Sequence, residues 1–343
     1  MQTLVIPKQA IGRLVEDLRA QWKVIGPKRK ETQFVFGEIE DARDLALDYT
    51  TTILPPAKFL FPPSETLLEF QVGEAGARRP VVEAEPSLLF GVHPCDVHGI
   101  NILDEVMTDD PVDANYASRR SGCRIVALEC TRTCSEFNLC TDKGTNRVEW
   151  GFDLLMVDLG DRYFVYVHSA PGEDLVRGKD YFRSADADDR VALEKAREAQ
   201  GKAMAAPRLS ANTASRLHAA VKDSYDGLIW EAIGRRCLSC GTCTNVCPTC
   251  NCYDVEDRVQ LDLCGGFRCR TWDSCQSTRF AEVAGGENFR EKAVARQRHR
   301  IFKKEVFQFE KYGRSACVGC GRCSSACVAS IRLTEIYQQL MEA

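Results

Sequence analysis

The chain has 343 residues, 44% of them hydrophobic and 27% charged, and a formal net charge of −4. This composition is typical of a soluble globular protein of one or two domains, and it offers no basic field that would favour nucleic acid as a partner. No apolar run approaches the length of a membrane span and the N-terminus lacks a signal-peptide pattern, so we expect a cytoplasmic protein. The outlier is cysteine, with 18 residues, which in a reducing compartment indicates metal binding rather than disulfides.

The first part of the chain has the pattern of an α/β fold. An amphipathic helix is predicted from about residue 8 to residue 22. Short runs rich in Val, Leu and Ile then predict buried strands at 88–93, 123–130, 153–160 and 163–168. A charged, alanine-rich segment at 186–206 and a further segment at about 212–233 predict two helices that lead into the C-terminal part.

Cysteine is distributed unevenly, and this distribution divides the chain. None occurs before Cys95, five lie between Cys95 and Cys140, and the remaining thirteen follow from Cys237 onward. We therefore predict an α/β N-terminal domain over residues 1–220. A mainly α-helical, ferredoxin-type dicluster domain is predicted to follow over residues 221–343.

Two runs of closely spaced cysteines are the strongest indication of function in the sequence. Each has the spacing C-x2-C-x2-C-x3-C, and their members are Cys237, Cys240, Cys243 and Cys247 in the first run, and Cys317, Cys320, Cys323 and Cys327 in the second. Three thiolates on a tight loop can wrap one [4Fe–4S] cluster, while the fourth ligates the other cluster in two-cluster proteins. The sequence thus predicts two [4Fe–4S] clusters, one on Cys237, Cys240, Cys243 and Cys327 and the other on Cys317, Cys320, Cys323 and Cys247.

Structural zinc is the alternative interpretation of these clustered cysteines. Zinc sites usually take their ligands as separated pairs, whereas each run here supplies four closely spaced thiols, so iron–sulfur clusters are favoured. The chain has neither a dinucleotide-binding nor a P-loop glycine motif, and no C-x-x-C-H haem motif. We therefore expect no NAD, flavin, nucleotide or haem site in this chain.

A second group of cysteines lies near the ends of predicted strands. Cys95 follows one strand, and Cys130, Cys134 and Cys140 lie at the end of another and on the loop after it. Strand ends are rigid positions from which to present ligands, so these four residues are candidates for a third [4Fe–4S] cluster. The alternative is that some of them are simply buried thiols, because their spacing matches no general ligand pattern.

Five further cysteines and a basic stretch lead to less definite predictions. The cysteines lie between the two runs and either pack beside a cluster or ligate a further one: Cys250, Cys252, Cys264, Cys269 and Cys275. A predicted helix at 287–313 carries seven arginines and lysines between residues 290 and 304. These charges form either a solvated helix face or a positive field that tunes anionic clusters or docks an acidic partner.

The motifs resemble one protein family. The stretches that carry the resemblance are 91–106, 127–146, 237–259, 268–291 and 317–327. They look like the beta subunit of cytoplasmic sulfhydrogenases and the A subunit of anaerobic sulfite reductase, which belong to the same family. One departure is Asn138-Leu139-Cys140, where many members have Cys-Phe-Cys, and the resemblance then implies Cys134 as the replacement ligand.

The resemblance implies an electron-transfer subunit rather than a complete enzyme. Members of the family relay electrons between a flavoprotein subunit that handles NAD(P)H and a catalytic partner, which is a nickel–iron hydrogenase or a sirohaem sulfite reductase. Two other functions stay open: an adaptor in another redox complex, such as a formate dehydrogenase or a bifurcating complex, and a thiol or disulfide reductase that uses the non-ligand cysteines. The CCG-type motif of heterodisulfide reductases is absent, which counts against the reductase.

Overall fold

The computed structural model of the chain describes residues 2–73, 78–209 and 213–342. Its strands are, in chain order, β1 (Gln2–Pro7), β2 (Lys23–Lys30), β3 (Gln33–Glu38), β4 (Ser64–Gln71), β5 (Arg78–Pro80), β6 (Ser87–Val92), β7 (Cys123–Leu128), β8 (Leu154–Asp158), β9 (Arg162–Val167), β10 (Arg183–Ser184), β11 (Tyr253–Val259) and β12 (Gly265–Trp272). Its helices are α1 (Ile11–Arg19), α2 (Pro94–Met107), α3 (Ala114–Ser121), α4 (Cys140–Lys143), α5 (Ala170–Val176), α6 (Ala187–Ala203), α7 (Thr213–Asp223), α8 (Ile229–Arg236), α9 (Thr242–Asn245), α10 (Ala293–Phe302), α11 (Gln308–Tyr312), α12 (Arg322–Ser325) and α13 (Leu333–Glu342).

An eight-stranded mixed sheet forms the centre of the N-terminal part, in the strand order β10-β1-β9-β8-β7-β6-β2-β3. The central strands β2, β6, β7 and β8 are parallel, and the outer strands pair antiparallel. Successive residues of a strand point to opposite faces of the sheet, and accordingly Leu88 and Leu89 on β6 belong to two different hydrophobic cores. The prediction of an α/β N-terminal part is confirmed.

Parallel pairing brings the ends of β6 and β7 to the same edge of this sheet. The register places Phe90 opposite Val126. Helix α2 begins directly after β6, with Pro94 in its first turn, where its fixed φ and missing N–H suit a helix start. Cys95 therefore lies on the first turn of α2, and Cys130 follows β7 two residues after its end.

A four-stranded antiparallel sheet joins the N-terminal and C-terminal parts of the sequence. Its order is β11-β12-β4-β5, so the β11–β12 hairpin pairs with β4. Arg270 on β12 strengthens this junction through buried ion pairs with Glu65 at 2.6 Å and with Asp113. The prediction of a mainly α-helical C-terminal part is not confirmed, because this hairpin lies between the two cysteine runs. All seven residues of β11 are exposed, so no buried apolar run marks this strand in the sequence.

The remaining C-terminal helices enclose a core of their own. Trp230 on α8 and Tyr337 on α13 are among its largest buried side chains. Helix α10 continues into α11 through a π-helical turn at Lys303–Phe307, and this turn places Lys304 and Glu305 inside the protein. Among the described residues, none of the helices combines the length and apolar character needed to span a bilayer.

Candidate iron–sulfur sites

The two cysteine runs fold into the same local structure. In each, a glycine with positive φ, Gly241 (76°) or Gly321 (77°), precedes a four-residue helix, α9 or α12. Such a φ strains residues that carry a Cβ, so glycine suits this position. The third cysteine of each run lies on the short helix and the fourth follows two residues after its end.

The thiols of the two runs surround two small cavities. The first cavity is lined by Cys237, Cys240, Cys243 and Cys327. The second is lined by Cys247, Cys317, Cys320 and Cys323. Cys323 also borders the first cavity, so the two lie side by side. The fourth cysteine of each run is thus grouped with the first three of the other run, which is the arrangement that crossed ligation requires.

The eight thiols are spread around these cavities. Within the described ranges, no three or more His, Cys, Asp or Glu side chains converge closely enough to hold a single metal ion. Burial raises the pKa of Cys323 to about 11 and also raises the pKa of Cys320. These thiols are therefore protonated at neutral pH in the absence of metal, and ligation releases their protons.

Two buried cations lie beside the cavities. Arg300, which lines the first, and Lys304, which lines the second, are 4% and 6% exposed. Lys304 Nζ donates to Cys247 Sγ at 3.2 Å and to Thr249 Oγ1 at 2.8 Å, and Arg300 Nε is buried without a hydrogen-bond partner among the described residues. Burial opposes both charges, yet the surrounding thiols raise the pKa of both side chains.

The surroundings of these two cations indicate which group the cavities can hold. Among the described residues, neither Arg300 nor Lys304 forms an ion pair with an Asp or Glu side chain, and the titratable groups around them are cysteines. A buried charge without a counter-ion costs several kcal/mol. A [4Fe–4S] cluster held by four thiolates is anionic, so the residues present fit this group in both cavities.

The four cysteines of the N-terminal part also lie close to one another. Burial raises the pKa of the Cys130 thiol, and Cys134 and Cys140 raise it further. Burial is the main cause of the raised pKa of Cys95, and Cys130 is one of the neighbouring groups that raise it further. Asn138 Nδ2 donates to Cys140 Sγ at 3.2 Å, and its Oδ1 is buried without a partner among the described residues. The strand ends and the following loop therefore place Cys130 within electrostatic range of the other three thiols.

This N-terminal group is in direct contact with the second run. The Leu139 N–H donates to the Gly319 carbonyl at 2.7 Å, and Cys95 and Cys320 pack against the same small apolar cluster. Gly319 has a φ of 66°, and a Cβ there would meet the amide nitrogen of Cys140 at 2.7 Å. Only glycine allows this close approach of the two loops.

A buried ion pair fixes the same contact. Arg322, between two cysteines of the second run, donates to both carboxylate oxygens of Asp96 at 2.6 and 2.7 Å and to the Thr52 carbonyl at 2.9 Å. Burial opposes the charge of Arg322, but Asp96 and neighbouring thiols raise its pKa. Burial lowers the pKa of His93 to about 3, and the positive charge of Arg322 contributes to this shift. His93 is thus neutral, and it stacks on Tyr49 at a ring separation of 4.0 Å.

Replacing Asp96 with asparagine is expected to destabilise the protein by about 3–5 kcal/mol, because it leaves the Arg322 charge buried and unpaired. Denaturant unfolding of anaerobically prepared protein measures this free energy. The control is Asp180→Asn, which breaks an exposed pair with Arg13 and should cost less than about 1 kcal/mol. Equal losses in the two variants would contradict the role assigned to the buried pair.

The remaining cysteines between the runs have different surroundings. The Cys250 thiol contacts Cys247. At the base of the β11–β12 hairpin, a hydrogen bond from Cys275 lowers the pKa of Cys252 to about 6. Cys269 lies 4.0 Å from a threonine hydroxyl of β4, and Cys264 is exposed in the hairpin turn. Cys250 and Cys252 therefore lie beside the second cavity, on the side of Lys304.

Comparison with known proteins agrees with this geometry. Residues 236–331, which include both runs and the hairpin, match the family model of the 4Fe-4S dicluster domain. The chain is also 35% identical over 329 residues to sulfhydrogenase 2 subunit beta of Pyrococcus furiosus, an alignment that covers 95% of this chain and 94% of that protein. No solved structure matches the chain significantly.

The dicluster domain and its thiol-lined cavities define an iron–sulfur protein of the electron-transfer class. The similarity along nearly the whole of both chains identifies the family: this chain belongs to the beta subunits of sulfhydrogenases. The resemblance read from the cysteine motifs is therefore confirmed.

Proposed function

We propose that this protein is the electron-relay subunit of a cytoplasmic, multisubunit oxidoreductase of the hydrogenase type. The observation that carries the proposal is the pair of adjacent cavities, each lined by at least four thiols drawn from both cysteine runs. The buried cations Arg300 and Lys304 support it, because the counter-ions that they lack are supplied by anionic clusters.

The residues around each cavity hold and tune its occupant. When bound, [4Fe–4S] clusters take up and release single electrons at potentials set by charge, hydrogen bonds to sulfur and solvent exposure. Gln297 Nε2 donates to Cys237 Sγ at 2.9 Å at the first cavity, and Lys304 donates to Cys247 Sγ at the second. Both contacts stabilise negative charge on sulfur, so both favour the reduced state.

The placement of the thiols supports a linear order of electron transfer. Cys323 borders both cavities, so the first and second sites are neighbours. Cys95 packs near Cys320 of the second run, and Phe137 and Leu139, on the loop between Cys134 and Cys140, line the second cavity and not the first. The order is therefore first cavity, second cavity, N-terminal group, with the second site in the middle.

A third [4Fe–4S] cluster on Cys95, Cys130, Cys134 and Cys140 completes this proposal. The full-length variant Cys130→Ser is expected to lose roughly one third of its iron and one set of cluster signals in EPR, since four of twelve ligands serve this site. Cys123→Ser is the matched control, because Cys123 is a buried thiol on β7 outside the group. Equal iron contents of Cys130→Ser and the unaltered protein would refute the third cluster.

The proposed partners follow from the family. A relative of this chain is named as a sulfhydrogenase subunit, so we propose a catalytic hydrogenase subunit at one end of the relay. A flavoprotein subunit that handles NAD(P)H is proposed at the other end. A sirohaem sulfite reductase in place of the hydrogenase would be recognised by its absorption spectrum in the complex purified from cells.

Metal and sulfide analysis tests the proposed function. Protein purified without oxygen is expected to contain iron and acid-labile sulfide in equal amounts, at least roughly eight of each per chain. The same sample should bleach when dithionite is added. Stoichiometric zinc without labile sulfide, in protein never exposed to air, would overturn the proposal.

A further inference from the structure

One thiol of the first cavity lies at the protein surface. Cys240 is exposed, whereas the other seven cysteines of the two runs are half-buried. The second cavity is lined by Phe137 and Leu139 of the N-terminal part, and no residue of that part lines the first. A subunit that passes electrons to another protein needs one cluster site near its surface, and the exposed Cys240 gives the first cavity this position.

Two large apolar side chains stand at the edge of the first cavity. Leu238 and Val328 both line it, and they are 67% and 79% exposed. Each directly follows a cysteine of the cavity, Cys237 or Cys327. A contact made through these two side chains therefore brings another molecule within one residue of two thiols. Grouped apolar side chains at a functional site are typical of protein interaction surfaces.

The charge next to this surface is positive. Helix α8 ends with Arg235 and Arg236 immediately before Cys237. Both arginines are exposed, and neither forms an ion pair in the part of the chain that the structure describes. The acidic residue of the same helix, Glu231, lies in its first turn, away from the cavity end. Basic side chains beside an apolar centre favour a partner with acidic residues at the matching positions.

We propose that the surface formed by Leu238, Cys240 and Val328, with Arg235 and Arg236 at its edge, docks a redox protein or subunit whose own docking face is apolar at its centre and acidic at its rim. This rests on the proposed function, because it requires a cluster behind Cys240. A second copy of this chain is a poorer occupant, since a symmetric pair would bring the same arginines to one interface. The apolar centre holds the complex together, and the arginines steer its formation.

The test uses the full chain with its clusters and a reduced acidic ferredoxin as the probe. Stopped-flow absorption measures the rate of electron transfer at low and high ionic strength. Leu238→Asp is expected to slow the reaction at least tenfold, a typical loss for a central interface residue. The double variant Arg235→Glu, Arg236→Glu is expected to slow it at low salt and to remove its salt dependence.

Matched controls separate docking from cluster assembly. Leu261→Asp changes a fully exposed leucine in the distant hairpin turn and should leave the rate unchanged. Iron content and absorption spectra of every variant show whether the clusters are intact. Absence of clusters in the unaltered protein would refute the proposed function itself. Intact clusters with equal rates in Leu238→Asp and Leu261→Asp, or no salt-sensitive reaction in the unaltered protein, would overturn the docking surface alone.

Discussion

Replacing Cys247 with serine is expected to impair the cluster of the second run and to leave the cluster of the first run in place. Cys247 belongs to the first run by sequence, but it lines the cavity of Cys317, Cys320 and Cys323. The reciprocal variant Cys327→Ser is expected to impair the site of the first run. Both variants should also unfold more readily, because thiolate–metal bonds contribute to the free energy of folding.

Reference variants make this result unambiguous. Cys240→Ser removes a ligand of the first site only, and Cys320→Ser removes a ligand of the second only. The EPR spectrum of reduced Cys247→Ser should therefore match that of Cys320→Ser, and the spectrum of Cys327→Ser should match that of Cys240→Ser. Cys264→Ser, at an exposed turn, is the control that keeps every signal. A match of Cys247→Ser to Cys240→Ser would mean that each run holds its own cluster.

Replacing Lys304 with methionine is expected to lower the reduction potential of the second site by on the order of 100 mV. Lys304 is buried and donates to Cys247 Sγ at 3.2 Å. Two unit charges ~7 Å apart in an effective dielectric of ~20 interact by about 2.4 kcal/mol, and ~1.4 kcal/mol corresponds to ~59 mV for one electron. Removal of this positive charge makes the added electron less favourable, so the potential falls.

A redox titration followed by EPR measures this shift. Lys222→Met is the control, because Lys222 forms an exposed pair with Glu310 in which both side chains are about half exposed, and its charge is screened by solvent. The potential of the first site serves as an internal reference within the same sample. Equal potentials in Lys304→Met and Lys222→Met would show that the buried charge does not act on the second site.

The features that could be predicted from the sequence are those determined by residues close together in the chain. The spacing of the cysteines in each run reflects a loop followed by a short helix. Gly241 and Gly321 have the positive φ that such a loop requires. Strands β6, β7, β8 and β9 of the N-terminal sheet were predicted for a similar reason, since buried strands consist of nearly continuous apolar residues. The other four strands of this sheet, β1, β2, β3 and β10, were not predicted. Strand β11 lacks this signal because it lies at the edge of its sheet with every residue exposed.

The contacts that join the sites were not predictable from local pattern. Asp96 and Arg322 are 226 residues apart, and each has the appearance of an ordinary surface charge in the sequence. Lys304 belongs to a stretch with many positive charges, for which a solvated helix face was one interpretation. The π-helical turn at 303–307 and the packing of the neighbouring helices bury it beside the second cavity. Such partners follow from the tertiary fold, and no spacing rule identifies them.

The position of iron in the folded protein tests the central claim most directly. Anomalous scattering at the iron edge, from crystals of the full chain prepared without oxygen, locates each cluster. Iron clusters in both cavities are predicted, with Cys247 Sγ bonded to the cluster of Cys317, Cys320 and Cys323, and with Cys327 Sγ bonded to that of the first run. A separate cluster on the four cysteines of each run, or a single metal ion in place of a cluster, would contradict this account.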